Sequence, residues 1–317
     1  MAGLVHISIL VPHERCDATL QLLLDRTGIT NVVRLTGAAL QPAGDVVIFD
    51  VAREASNDLL SDLVDRGLTD HGSISVTHST LSMGTGVQDA LDQAPGESDE
   101  TVLWAEVEAV VDRGMQVTPL LQAYFVVAAI IATAGVLTDS SILIVGAMVV
   151  GPEYGPIAAM SWYLQQRRGR PFARAAIVGA IGSTAAVAAA FVMTALLNWI
   201  DRIPENFELG NQLNAGFISH PDVFSAIVAS VAAVAGVLSL TFAHSSTLVG
   251  VLVSVTTLPA IAAIGVGAAV GDWHGAWGAA GQLAVNLGCL VVVGALTLAV
   301  LHWRTPRLAH VADPLTR

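Results

Sequence analysis

A lone carboxylate sits inside one of the most apolar stretches of this chain. Residues 140–159 run Ser-Ser-Ile-Leu-Ile-Val-Gly-Ala-Met-Val-Val, then Gly151, Pro152, Glu153, Tyr154, Gly155 and Pro156, and close on Ile-Ala-Ala. Proline lacks an N–H and clashes with the preceding turn, so it frees backbone carbonyls. Lipid cannot satisfy freed carbonyls, whereas a protein-lined cavity, water or an ion can. A carboxylate at such a place is costly in a bilayer and faces a cavity or a partner. Glu153 is therefore placed to bind a cation or to carry a coupling proton. A second stretch, 245–263, repeats the pattern: Ser245, Ser246, Gly250, then Thr256, Thr257, Leu258 and Pro259. Two interrupted apolar segments in corresponding halves of a chain point to a transporter-type binding site.

The candidate substrate- or ion-binding residues are thus Glu153, Tyr154, Thr256 and Thr257, with Asn286 from a later apolar run. The helix-breaking residues are Gly151, Pro152, Gly155, Pro156 and Pro259. Each has a plainer role to weigh against. Glu153 can cap a half-helix whose N-terminus favours an anion. Threonines bond back to their own helix. Asn286, like Gln282, can serve as a hydrogen bond between helices.

Elements that could hold such a site follow from composition. The chain has 317 residues, 54% hydrophobic and 13% charged, with mean hydropathy +0.66. This is the composition of an integral membrane protein. Apolar runs at about 118–137, 140–164, 172–198, 222–243, 246–270 and 277–302 are each long enough to cross a core of roughly 30 Å. Glu153 lies twelve residues past Ser141, about 18 Å along a helix, and so near mid-membrane.

The front of the chain differs. Residues 1–115 hold 18 of the 26 acids and 6 of the 14 arginines, and there is no lysine. That leaves a net charge of −12 in front and a neutral remainder. An acidic front argues against nucleic acid as a partner, which needs a basic surface. Alternating apolar residues at 4–11, 30–36, 44–51 and 73–80 read as strands, and the spacing at 14–27 and 54–66 as helices. The order βαββαβ predicts an α+β ferredoxin-like domain over 1–81. Residues 82–100 read as a Gly- and acid-rich linker, and 101–114 as an amphipathic helix, so 82–115 joins the two parts. Exposed sheet edges predict self-association into a homo-oligomer.

Arginines set the expected orientation. Arg167, Arg168, Arg170 and Arg174 follow the second run, and Arg304, Arg307 and Arg317 follow the sixth. Between the third and fourth runs, Asp201, Glu205, Glu208 and Asp222 face a single Arg202. The positive-inside rule then puts both termini in the cytoplasm, with 304–317 as a cytoplasmic tail. Ala-Gly-Val-Leu recurs at 134–137 and 235–238, each time followed by Ser-Ser, Gly and Pro. An internal repeat of about 116–198 and 222–302 follows, within a membrane domain of 116–303. Three spans per half force the halves into opposite orientations, the 3+3 inverted arrangement of many secondary transporters.

The stretches 128–160 and 246–267 resemble the bacterial and archaeal DUF389 family, a domain of unknown function also called the uncharacterised hydrophobic domain family. The residues that carry the likeness are Gly146, Ala147, Met148, Gly151, Pro152, Gly155 and Pro156. The resemblance implies a multi-pass protein of a prokaryotic cytoplasmic membrane, with the lipid bilayer as its surroundings. It supplies no chemistry. This chain departs from the family pattern at Glu153-Tyr154, where an apolar pair is usual, and at Pro259, where a Pro-Pro pair is usual.

No GxSxG, HExxH, P-loop or GxGxxG pattern occurs, so no enzyme and no cofactor is expected. No metal is assigned. Cys16 and Cys289 lie in different phases, so no disulfide is expected. The opening residues carry no basic n-region or cleavage site, and no signal peptide is expected. The reading is a secondary transporter or solute or ion permeation protein, with the front domain for regulation or assembly. A membrane sensor or scaffold whose front domain binds a ligand is the alternative, and a channel the third.

Overall fold

The computed structural model describes residues 4–78, 84–94, 102–203, 207–212, 223–242 and 246–304. The side chains of 246–256 and 304 lie outside that description. The chain divides into two units, Met1–Ala105 with Trp303–Arg317, and Glu106–His302.

The first unit follows the alternation in its sequence. Strand β1 (Leu4–Val11) turns Val5, Ile7, Ile9 and Val11 inward. Helix α1 (His13–Leu24) follows, then β2 (Ile29–Leu40) and β3 (Ala43–Ala52), then α2 (Arg53–Asp65), a short α3 (Leu68–His71) and β4 (Ser73–His78). The sheet is small and antiparallel, with order β2-β3-β1-β4. One face packs on the two helices through Val47, Phe49 and Val51 of the sheet, and Cys16, Leu23, Leu59 and Leu63 of the helices. Gly67, at φ +68, ends α2; its N–H donates to the Val64 carbonyl at 2.8 Å. This is the left-handed stop that favours glycine.

Where composition suggests a linker, a further helix forms: α4 (Thr85–Gln93). Val87, Leu91 and Ala94 cover Leu4 and Ala52, so a few apolar residues in a polar stretch suffice to dock it. Asn57 of α2 fixes the chain further on, donating to the Val102 carbonyl at 2.7 Å and accepting from the Trp104 N–H.

One carboxylate of this unit is fully buried. Asp45 accepts from the Gly37 N–H at 2.9 Å and from the Arg34 guanidinium at 2.7 and 3.0 Å, and His13 Nδ1 lies 3.0 Å away. The Gly37 N–H first, then His13 and Arg34, hold its pKa well below the ordinary carboxylate range. The Cys16 thiol beside it is pushed up to about 11, chiefly by burial and then by its hydrogen bond to Asp45.

The second unit is helical. It begins in α5 (Trp104–Gly114) and continues with α6 (Pro119–Leu137), α7 (Ser141–Val150), α8 (Tyr154–Gln165), α9 (Gly169–Trp199), α10 (Val223–Phe242), α11 (Ser246–Val270) and α12 (Trp273–Arg304). Four of these, α6, α9, α10 and α12, are long and apolar enough to cross a membrane; counting the α7–α8 pair as one bent span makes five. The sixth expected span falls on α11, whose described apolar part is Thr257–Val270. Thr118 caps α6, its side chain accepting from the Leu121 N–H at 3.1 Å with Pro119 at the first turn. Ser140 caps α7, its side chain accepting from the Leu143 N–H, and Asp139 before it takes the left-handed turn at φ +49.

The two proline stretches behave differently. At Gly151, Pro152 and Glu153 the chain breaks, and α7 and α8 meet at 62°. At Pro259 it does not: α11 runs unbroken with the proline inside it. The expected second break is therefore corrected. Proline removes one i→i−4 hydrogen bond, and α11 tolerates this where it is buried in close packing. Leu258, Ala260, Ile261, Ala262 and Ala263 are all essentially buried, so α11 is the core of the unit. It crosses α9 closely at Gly265, where an added Cβ would lie 2.6 Å from both the Ala190 Cβ and the Val187 carbonyl oxygen.

The connection after α9 is pinned to the same core. Leu209 is 1% exposed and packs with Val136, Ala263 and Val266. Its N–H donates to Asp272 Oδ2 at 3.0 Å, while Asp272 Oδ1 accepts from the Gly275 N–H at the start of α12.

Candidate functional site

The break between α7 and α8 puts Glu153 at the N-terminal edge of α8. Its backbone is helical there, at φ −67° and ψ −20°, and its carbonyl accepts the first α8 bond from the Ile157 N–H. Its side chain makes no capping bond to its own helix. The residue is 4% exposed. The residue lines a cavity of about 330 Å³.

That cavity is built by five helices. Glu153, Pro156, Ile157 and Met160 come from α8, Phe125 from α6, Thr257 and Ile261 from α11, and Leu283 and Leu287 from α12. The α9 wall is Ala176, Gly179, Ala180, Ser183 and Thr184, one helical face of small residues. The proline that turns the chain at 152 thus delivers the carboxylate, and the small residues of α9 leave it room. Four lining residues are polar or charged: Glu153, Ser183, Thr184 and Thr257. Among the described residues that line it, Glu153 is the only ionisable one.

The candidate residues separate on this geometry. Glu153 and Thr257 are brought together on one cavity, and Thr257 is 2% exposed. Tyr154 points elsewhere: its hydroxyl donates to the Gly236 carbonyl of α10 at 3.0 Å, and it borders a separate void of about 20 Å³. Asn286 is 1% exposed but does not line the Glu153 cavity. The Thr256 side chain lies outside the described residues. Among the helix-breaking residues, Gly151 and Pro152 make the break. Gly155 serves a close approach, since a Cβ there would lie 3.0 Å from the Gly114 Cα of α5. Pro156 lines the cavity and packs close to Gly179, where an added Cβ would lie 3.5 Å from the Pro156 Cβ.

The sequence reading missed Phe125, Ser183 and Thr184. The signal for α9 is visible afterwards as small residues at 176, 179, 180, 183 and 184, a helical repeat of three and four. Phe125 could not be found by any pattern. It is 0% exposed, and its ring packs on Gly182. Further along α8, Tyr163 donates to Asp112 of α5 at 2.9 Å, fixing α8 to α5. Among the described residues no group of three His, Cys, Asp or Glu side chains could hold a metal ion.

No curated protein and no solved structure matches the chain. One family model does, described as "Domain of unknown function (DUF389)", over residues 148–292. The glycine–proline motif around Glu153 opens that match, and the matched residues 148–292 hold every lining residue of the Glu153 cavity except Phe125.

Proposed function

We propose that the chain is a secondary transporter or other solute or ion permeation protein, with its binding site at Glu153. One observation carries the reading: Glu153, at the break between two apolar helices, lines a cavity and makes no capping bond to its own helix. Carboxylates inside membrane segments mark ion and substrate routes.

The membrane unit is read as six spans in two inverted halves. The helix lengths support this pairing. The 19 residues of α6 answer to the 20 of α10, and the 31 of α9 to the 32 of α12. The α7–α8 pair with its three-residue break answers to the 25 residues of α11, and each begins on the second serine of a Ser-Ser pair. Glu153 and Thr257 hold equivalent places in the aligned halves, and both border one cavity. A site at the interface of two inverted repeats is built in this way.

The first unit is read as a cytoplasmic ferredoxin-like domain, on its βαββαβ order. Its role is assembly of a homo-oligomer or regulation. Val33 and Leu35 on β2 are 46% and 43% exposed, which favours the assembly role and keeps a scaffold as the second reading. The membrane is read as a prokaryotic cytoplasmic one with both termini inside.

The test is thermal stability of the purified chain across pH and candidate cations. Glu153→Gln keeps size and hydrogen bonding but cannot ionise. The expected result is a pH- or cation-dependent melting temperature that the variant loses while staying folded. A variant that reproduces the wild-type profile at every pH and ion refutes a binding or coupling role for Glu153.

A further inference from the structure

We infer that α9 carries a site for one anionic phospholipid, whose phosphate is held by Arg170 and Arg174 and one of whose acyl chains sits in the mouth of the cavity. The inference goes beyond the permeation reading and asks nothing of the Glu153 carboxylate. It needs only that α9 spans the bilayer.

The length of α9 sets the depths. Its 31 residues rise about 46 Å, and the hydrocarbon core is roughly 30 Å thick. The surplus, shared between the two ends, puts about five residues of each into a headgroup layer. Arg170 lies in the first of these layers. Arg174 lies at its inner boundary, from which a long side chain reaches back toward water. Trp199, 81% exposed at the far end of α9, is the residue type of the opposite interface.

Charge decides the headgroup. Arg170, Arg174, Ile177, Ile181 and Thr184 follow one another at three or four residues, so they share one face of α9, and all five are exposed. That face is cationic at headgroup depth and apolar below it. Among the described residues no acid pairs with Arg170 or Arg174. Arg168, by contrast, has an interaction of its own and is left out of the site. Two guanidiniums one turn apart can share a phosphate, the group whose oxygens match their donor fork. No side chain caps the start of α9, so the positive end of its dipole adds to theirs. A zwitterionic headgroup would bring a cation of its own to this place, and an anionic one does not.

The cavity decides the rest of the ligand. Of its lining residues only Ala180 and Thr184 of α9 are exposed, so it opens on the same side of α9 as the arginines. Ala180 lies six residues past Arg174, about 9 Å deeper along the helix. A phosphate at the arginines thus lays its chains over Ile177 and Ile181, 58% and 44% exposed, and brings one of them to this mouth. Ten of the fourteen lining residues are apolar. The Thr184 hydroxyl donates to the Ala180 carbonyl at 2.7 Å, so it needs nothing from a ligand. Ala176, Gly179, Ala180 and Ser183 are small and leave room for a chain. Free phosphate would use the arginines and leave the apolar face and the mouth uncovered. A lipid covers all three, and its seated chain closes the cavity toward the bilayer.

The probe is phosphatidylglycerol with a nitroxide label midway along one acyl chain. Phosphatidylcholine carrying the same label, and free glycerol phosphate, are the comparators. Electron spin resonance measures the immobilised fraction of label on the purified full-length chain in zwitterionic lipid nanodiscs, as the mole fraction of labelled lipid is raised. Saturable immobilisation of labelled phosphatidylglycerol is expected, absent for phosphatidylcholine and not reversed by glycerol phosphate. Arg170→Gln with Arg174→Gln should weaken it by roughly thirty-fold, as for two arginines lost from an anionic surface. Thr184→Trp, at an exposed position, should fill the mouth and set the labelled chain free. Equal immobilisation of phosphatidylcholine overturns the inference, as do reversal by glycerol phosphate and undiminished binding by the double variant. A chain still immobilised in Thr184→Trp overturns it too, and decides alone should the double variant fail to fold. Glu153→Gln, the variant that tests permeation, should hold the lipid as wild type does, and loss of the lipid there counts against the inference. The two readings thus fail on different variants.

Discussion

Gly182 on α9 lies under the ring of Phe125, and an added Cβ would collide with three ring atoms. Gly182→Ala therefore pits two effects of opposite sign. Alanine in a helix interior is favoured over glycine by about 0.5–1 kcal/mol. Forcing a methyl into a packed core costs about 1–3 kcal/mol. The ring cannot swing away freely, because Phe125 is 0% exposed and packed among Ala129, Ala186 and Ile261. The clash should win, for a net loss of up to about 2 kcal/mol. Phe125→Leu removes the outer ring atoms, so in that background Gly182→Ala should turn neutral or stabilising. The coupling between the two sites should reach about 1–3 kcal/mol, well beyond the ~0.5 kcal/mol within which independent sites add. Gly146→Ala on α7 is the control, since its Cβ would meet nothing within 4 Å. It should stabilise by about 0.5–1 kcal/mol. The assay is equilibrium unfolding of the four variants of the cycle, and the control, in one membrane mimetic. Additive effects of Gly182→Ala and Phe125→Leu would refute the contact.

Two further outcomes are expected. Asp45 has a lowered pKa when folded, so the stability it provides is full above its ordinary value of 3.8 and is lost as pH falls through the depressed folded value; the melting-temperature gap between wild type and Asp45→Asn should narrow below pH ~4 and vanish in stronger acid, and a gap constant with pH contradicts this. Single cysteines at Asp58 and Glu208, with Cys16 and Cys289 replaced, should be labelled by an impermeant reagent from opposite faces of the membrane, and labelling of both from one face defeats the orientation and the inverted halves together.

What the sequence made legible was local. Alternation at Val5, Ile7, Ile9 and Val11 suffices to place β1 and its inner face, because period two needs no knowledge of neighbours. Pro152 with Gly151 beside it suffices for the break that presents Glu153. Pro259 alone did not tell its outcome, since an unbroken helix there depends on how closely α9 and the small residues at 260, 262 and 263 pack. Tyr154 and Glu153 are adjacent in sequence yet serve different neighbours, because consecutive residues at a helix start diverge by about 100°. Which of the two meets the cavity is fixed by α10, whose position no local pattern encodes. The glycines make the same point: Gly182 receives a ring, while Gly288 on α12 has nothing within 4 Å of an added Cβ.

Pro259 also changes what bending costs. In an ordinary helix a kink must stretch or forfeit a backbone hydrogen bond at its outer edge. In α11 the carbonyl of residue 255 has no i+4 donor to lose, because Pro259 has no N–H. The turn beside Thr257 is thus already released in the unbroken state. Flexure at that point would be resisted by the side chains packed around it and not by the helix itself. The α7–α8 pair, bent 62° at its own proline, is the same kind of element after the turn has opened. One proline segment of the unit is held folded over, and the other runs as a helix that can hinge at its proline without losing that bond.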